Sequence, residues 1–490
     1  MIVKKIIMKK NIVLAIFLIF LYSIINIILL LHHEPWFDEA QAWLISRDLD
    51  IVSIFKQMAY EGTPALWHML LVPFAKTGLP YTSEFILHLT IAVAAVTVFV
   101  LYAPFSKVTK VLFIFSYYMV YEYSIIARSY GLSILFLFSI AALYTKRFEN
   151  PLWYGFLIFL LFNTNVHSFF VACSLTILFV WELYRNNVQG DRGKIAVLVM
   201  FAGGLLCFLQ LLSPSDNINY GIVQEFNPYV PFAAIAHAFF PFHTATFMPS
   251  NLRIVFIVIA FFVFFVIIFS LIRKPAALFI LLLSIVGLSY VFAFKYPGAV
   301  RHHGLILIIF LFTIWISKYY DDSQQKLFDI ASNVNLQKLS IVIINVCLAL
   351  SLLYALKIQY LEYEYPFSGA KEMADFIIRN HLEHHIIVAH RSGTGALLPF
   401  LPGKTFWYAG IENYGTFIVY NKKHLAGRDI SNEEVIPRIQ KAFPDKSHLL
   451  LLLTGPLDFS ESHGFKLLYK VDKNIFGYGP EKFYLYKPID

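Results

Sequence analysis

The 490-residue chain reads as an α-helical polytopic membrane protein, with about eleven transmembrane helices and a small C-terminal extracytoplasmic α/β domain. Three observations predict this. Hydrophobic residues make up 58% and charged residues only 14%, where a soluble globular chain carries roughly 25% charged residues. Mean hydropathy is +0.65, and long apolar runs recur through the first 357 residues. Beyond residue 357 the pattern changes to short apolar strand-like runs and amphipathic helices.

Taken in order, a window of about 19 residues marks spans near 11–31, 85–105, 111–127, 129–145, 152–166, 168–184, 195–213, 253–272, 276–294, 304–317 and 340–357. The first is too long for a secretory h-region and lacks a small-residue cleavage site, so it reads as an uncleaved helix. Lys4, Lys5, Lys9 and Lys10, then Lys107 and Lys110, Lys146 and Arg147, Arg185, Arg192 and Lys194, Arg273 and Lys274, and Lys318, Lys326 and Lys338 fall in alternate connecting segments. The positive-inside rule puts those segments and the N-terminus in the cytoplasm, and the odd span count puts the C-terminal domain outside a bacterial-type plasma membrane. The first outer loop, 33–84, holds "DEAQAWLISRDL" and "TPALWHMLLVPFAK", whose helical apolar spacing predicts helices lying flat on the bilayer. Prolines in 214–252 exclude a spanning helix there and predict a loop on the outer face.

The division expected is therefore a membrane domain over 1–357 and an α/β domain over 358–490. In the latter, "KEMADFIIRN" and the capped "SNEEVIPRIQKAF" read as helices. "HIIVAH", "KTFWYAG", "HLLLLLTG", "FKLLYKV" and "KFYLYK" read as strands. About 130 residues suffice for one core.

The formal charge of +8 is spread in short clusters between apolar runs, which is topogenic and excludes nucleic acid as partner. Cys173, Cys207 and Cys347 lie inside apolar runs with neither metal-like spacing nor a loop partner, so no disulfide framework is expected. His381, His384 and His385 have the i, i+3, i+4 spacing of a helix face, but without a carboxylate shell they read as a solvated helix end. Ser392-Gly393-Thr394-Gly395 reads as a tight turn.

Ionisable residues near a bilayer are costly and invite a functional reading. On the predicted outer side they are Asp38 and Glu39 after the first span, Glu61 and His68 in the first loop, and Glu122 and Arg128. His167 and the run Arg301, His302, His303 complete the set. Carboxylates from one loop and cations from others suit a reaction in which a base activates a nucleophile while cations hold an anionic leaving group. Each has a plainer alternative: Asp38 and Glu39 as first-turn acids of a helix, Arg128 snorkelling, His167 and His302 as interfacial histidines, Glu61 as a cap.

"FDEAQAW", "YEGTPALWHMLL", "ARSYGLSILF" and "GAVRHHGLILI" together resemble the GT-C superfamily of polytopic glycosyltransferases. The likeness is to family-39-like members related to protein O-mannosyltransferases and lipid A aminoarabinose transferase, and it covers most of the chain. Thr63 stands where that family commonly has His, so no role for a histidine before Pro64 carries over. The resemblance implies a GT-C-like fold with a catalytic first outer loop. It makes Asp38 the general base and Glu39 its neighbour orienting the acceptor, the two being candidate ligands of a divalent Mg or Mn ion. Arg128, Arg301 and His303 would grip the phosphate of a polyprenyl-phosphate-linked sugar, with Glu61, His68 and His167 as further substrate contacts. The reaction expected is inverting transfer of a hexose or pentose to an extracytoplasmic lipid, glycan or protein. No Gly-rich phosphate loop appears in the sequence. The competing class is a transporter or flippase of lipid-linked glycan, which calls for polar or broken spans near the midplane.

Overall fold

The computed structural model describes residues 2–187, 190–218, 226–242, 248–322, 336–428, 430–446, 448–477 and 481–489, with side chains from residue 12 onward. Among them, eight helices are long and apolar enough to cross a membrane: Ile12–His32, Ser83–Tyr102, Val166–Arg185, Asp191–Gln210, Ser250–Leu271, Pro275–Phe294, Val300–Ser317 and Leu336–Glu364. The chain is a multi-pass membrane protein with a C-terminal sheet domain. It divides into two compact units. The first comprises Met1–Ile27, Leu87–Leu212 and Ile222–Ile358, and the second Ile28–Ile86, Ser213–Gly221 and Gln359–Asp490. The three cysteines are free thiols.

Eight long helices correspond to eight of the predicted spans; the runs at 111–127, 129–145 and 152–166 form shorter elements. The first of these is not one helix. Lys107–Ile114, started by Ser106 whose Oγ accepts from Thr109 N at 3.1 Å, gives way to a π turn at Tyr118–Glu122 and irregular chain as far as Arg128. A hydropathy window sums side-chain apolarity and is blind to this break. Unpaired backbone is tolerated in such surroundings only where protein satisfies it. Here Tyr22 Oη donates to Met119 O at 2.5 Å, and Tyr117 N donates to Ser351 Oγ at 3.2 Å. Tyr130–Leu143 and Pro151–Phe162 follow as short apolar helices. Another apolar helix, Tyr229–Phe239, lies in the stretch expected to be loop. In Val300–Ser317 every residue from His302 to Ser317 is buried.

The second unit is built on a six-stranded mixed sheet: β1 Ile386–Ala389, β2 Phe406–Tyr408, β3 Asn413–Gly415, β4 Leu449–Leu453, β5 Phe465–Val471 and β6 Phe483–Pro488. Their order is β3-β2-β1-β4-β6-β5. β1 runs parallel to β2 and β4, with Ile386 opposite Leu449 and Ala389 opposite Leu452, while β3, β5 and β6 pair antiparallel. The uninterrupted leucines of β4 reflect burial on both faces. Leu450 and Leu452 join Ile387, Ala389, Phe406 and Tyr408 on one side, and Leu449, Leu451 and Leu453 join Val388 and Trp407 on the other. Helix Ala370–Arg379 covers the first face through Met373, Ala374 and Ile377, and Val435–Ala442 covers the second through Val435, Ile436 and Ile439. The helix preceding His381 ends at Arg379, and His381 itself has φ 54°, so the three histidines there share no helix face.

"DEAQAWLISRDL" is a helix, Phe37–Asp48, but its apolar stripe does not lie on lipid. Phe37, Ala40 and Leu44 belong to the first-face core of the sheet, packed with Ala396, Leu397 and Leu398 of the 3-10 segment Ser392–Phe400. The expectation of a surface-lying helix fails because an i, i+3, i+7 pattern says which face is apolar, not what covers it. Ile51–Glu61, N-capped by Asp50, and Leu66–Ala75 complete this part, with Ile45, Ile54, Met58 and Ala65 in a satellite cluster.

Candidate functional site

Six of the residues singled out in the sequence, Glu122, Arg128, His167, Arg301, His302 and His303, lie in the first unit, and the structure draws His167 and His302 together with Tyr130 at helix beginnings. Tyr130 is the first residue of Tyr130–Leu143, His167 the second of Val166–Arg185, and His302 the third of Val300–Ser317. Ring centroids of His302 stand 4.8 Å from His167 and 5.6 Å from Tyr130. The N-terminal turns of three helices therefore meet, and each contributes the positive end of a dipole and backbone N–H groups without intrahelical acceptors. Two of those turns are tied by hydroxyls: Asn165 Nδ2 donates to Ser133 Oγ at 2.7 Å and Ser168 Oγ donates to it at 2.9 Å. Arg128 immediately precedes one turn and Arg301 sits in another, both half-buried and both within electrostatic reach of His302.

The histidines have assignable tautomers. His302 Nδ1 accepts from Ala299 N at 2.7 Å, leaving the ring proton on Nε2. His303 Nε2 donates to Pro297 O at 2.9 Å, and its Nδ1 stands 2.9 Å from His237 Nδ1. Tyr118 Oη donates to His237 O and Tyr123 Oη to Arg301 O, each at 2.6 Å, so the π turn braces this cluster. Glu122 is buried and accepts from Tyr117 Oη at 2.6 Å.

The acids of the first loop, Asp38, Glu39 and Glu61, fall in the second unit. Asp38 is half-buried in the first turn of Phe37–Asp48. Glu39 is fully buried: its Oε2 accepts from Trp36 N at 3.1 Å and lies 3.2 Å from His33 Nε2. His33 Nδ1 is 2.8 Å from Glu362 Oε1. A carboxylate oxygen faces each of the two ring nitrogens of His33, a geometry that a doubly protonated ring satisfies by donating to both. Burial opposes that charge, but Glu39 and Glu362 outweigh it and push His33 up to about 10. Glu481 is also buried. Its Oε1 accepts from Phe37 N at 2.9 Å and its Oε2 from Ser368 Oγ at 2.6 Å, and burial pushes it up to about 8. Burial likewise raises Glu34 to about 7.

No protein-family model and no curated protein matches this chain.

Glu61, at the end of Ile51–Glu61, accepts from Gln41 Nε2 at 3.0 Å and Gln57 Nε2 at 2.9 Å rather than capping the helix after Pro64. Gln41 also donates to Ile418 O at 2.7 Å and accepts from Ile418 N at 3.0 Å, mimicking a strand partner. His68 is buried, and its carbonyl accepts from Ser46 Oγ at 3.1 Å. As to a divalent ion on Asp38 and Glu39, the Glu39 carboxylate is engaged by His33 and the Trp36 amide. Among the described residues no group of three or more His, Cys, Asp or Glu is placed to hold a metal, so this donor set does not fit a resident cation. Sequence reasoning missed His33, His237, Glu362 and Glu481. His33 stood beside the quoted acids, whereas Glu362 and Glu481 carry no local pattern.

Chemically, the first unit gathers helix N-terminal turns and two arginines, an arrangement suited to an anionic group such as a phosphate. In the second, Asp38 is a half-exposed carboxylate next to the buried Glu39 and in the same unit as the buried Glu481.

Proposed function

We propose that the chain is an inverting glycosyltransferase of GT-C type that moves a sugar from a polyprenyl-phosphate carrier to an extracytoplasmic acceptor, a lipid, glycan or protein. The observation that supports it most is the meeting of three helix N-terminal turns with Arg128 and Arg301 in a chain of apolar helices. A lipid-linked phosphate is the anion such a place suits, since its tail partitions into the bilayer while its head needs paired charge.

In this reading Arg128 and Arg301 hold the phosphate, with His303 fixed by Pro297 and His237 beside them. Asp38 takes the proton from the acceptor hydroxyl, and that oxygen attacks the anomeric carbon from the side opposite the phosphate. The C–O bond to the phosphate breaks and its electron pair leaves with the polyprenyl phosphate, whose growing charge the arginines stabilise. Inversion needs no second carboxylate nucleophile.

The test is purified protein in lipid vesicles with radiolabelled polyprenyl-phosphate sugar and a crude envelope acceptor. Asp38→Asn is expected to cut turnover by about 10²–10⁴-fold, and Arg128→Ala or Arg301→Ala to raise donor KM and lower kcat. Unchanged donor consumption in Asp38→Asn counts against the acid-base assignment. Movement of intact donor across the bilayer without cleavage favours a flippase instead.

A further inference from the structure

We propose that Glu481, with the chain Glu362–His33–Glu39, acts as a positioning device for Asp38, so that the C-terminal segment sets the aim of the carboxylate in the first loop. The inference rests on the reading of Asp38 as the base, and adds residues which that reading does not name.

Helix Phe37–Asp48 begins one residue before Asp38, and its first turn is fastened at three points by side chains. Phe37 N donates to Glu481 Oε1 at 2.9 Å, Trp36 N donates to Glu39 Oε2 at 3.1 Å, and His33 is held between Glu39 and Glu362. Glu481 is itself fixed by Ser368 Oγ at 2.6 Å, and Ser368 Oγ accepts from Ala370 N at 3.1 Å at the start of the next helix. Side-chain exposure of His33, Glu39 and Glu362 is 1% or less, so these contacts are made away from bulk water. Helix-start amides are ordinarily satisfied by a local cap, yet Trp36 at this N-cap offers no side-chain acceptor. An acceptor from position 481 takes that place. The fastening also explains why the helix cannot rotate about its axis: Phe37, Ala40 and Leu44 are buried in the sheet core on one side, and the amide clamp fixes its start. Asp38, half-buried between two clamped neighbours, inherits the geometry of both.

A charge on Glu481 is disfavoured by burial, and by Asp38 and Glu39 nearby, which agrees with a role in holding rather than reacting. Glutamine keeps its shape and its acceptor for the Phe37 amide; alanine keeps neither.

The test uses the full-length protein in lipid nanodiscs with two readouts. Hydrogen exchange of the peptide covering Trp36 to Gln41 reports the clamp without reference to activity, and turnover of radiolabelled polyprenyl-phosphate sugar reports its use. In Glu481→Ala, exchange of the Phe37 amide is expected to rise about tenfold, the scale of one hydrogen bond. kcat is expected to fall about 10²-fold, as for a reacting group displaced by about 1 Å, with donor KM unchanged. Glu481→Gln is expected to restore both, and Ser368→Ala to show a smaller loss should Glu481→Ala fold poorly. Exchange and kcat both unchanged in Glu481→Ala overturn the proposal, as does equal damage in Glu481→Gln and Glu481→Ala. If Asp38→Asn turns over normally, the glycosyltransferase reading falls, while unchanged exchange in Glu481→Ala separately refutes the clamp.

Discussion

Raising the pH should weaken the second unit, and Glu481→Gln should halve that weakening. Glu481 ordinarily titrates near 4.5 and is held up to about 8 in the fold, so it keeps its proton when folded and loses it when unfolded between those values. Its contribution is present below pH 4.5 and is lost as pH rises through 8. His33 ordinarily titrates near 6.5 and is held up to about 10, so its contribution is present below 6.5 and is lost as pH rises through 10. The two windows overlap from 6.5 to 8, where folding takes up two protons. Each proton lowers stability by about 1.4 kcal/mol per pH unit of rise, so the pair approaches a slope of about 2.7 kcal/mol per pH unit. Glu34, held up to about 7, adds the same sign at the acid end of the window, reduced by its exposure. Glu481→Gln removes one proton from the balance and leaves a slope of about 1.4 kcal/mol per pH unit. Thermal unfolding followed by near-UV circular dichroism between pH 6.5 and 8 measures this, with wild type losing Tm about twice as steeply as the variant. A variant whose Tm falls in parallel with wild type, or a Tm that climbs with pH, refutes the argument.

Three further outcomes follow from packing. A methyl added at Gly304 would run into the Tyr118 ring and come within 2.5 Å of Tyr123 Oη, both buried, so Gly304→Ala should cost about 1–3 kcal/mol in denaturant titrations. It should also raise donor KM, because Tyr123 Oη donates to Arg301 O. Gly410→Ala would place its Cβ 2.5 Å from Gly427 O, where two backbones cross, and should lower Tm while leaving phosphate-group binding untouched. Gln41→Ala strips Ile418 N–H of its partner and leaves its C=O only the longer bond from Gln57 Nε2 at 3.3 Å, and should cost about 1–3 kcal/mol, seen as faster exchange at Ile418.

Much of the sheet was legible because local chemistry dictates it. Five consecutive leucines between turns announce a strand buried on both faces, and β4 is one. Alternation in "FKLLYKV" and "KFYLYK" gave β5 and β6, whereas β3, three residues long and mostly exposed, has too little apolar pattern to read. Long apolar helices were equally plain. The break at Tyr118–Glu122 was not, since it depends on Tyr22 and Ser351 satisfying backbone groups far away in the chain. In the candidate site, the arginines and histidines at helix starts were visible as charges beside apolar runs. What fastens Asp38 was invisible: Phe37 and Glu481 are 444 positions apart, and His33 and Glu362 are 329 apart. A lone glutamate in "PEKFY" carries no periodicity to betray its partner.

The enclosure of Val300–Ser317 has a consequence for biogenesis. A helix without a lipid-facing side gains nothing from remaining solitary once the ribosome delivers it to the bilayer. The helices packed most closely around it, Tyr130–Leu143, Val166–Arg185, Tyr229–Phe239, Ser250–Leu271 and Pro275–Phe294, are all translated earlier. Its nest is thus largely synthesised on arrival, and Arg301 and its neighbouring histidines enter as a closing piece among helices that precede them in the chain.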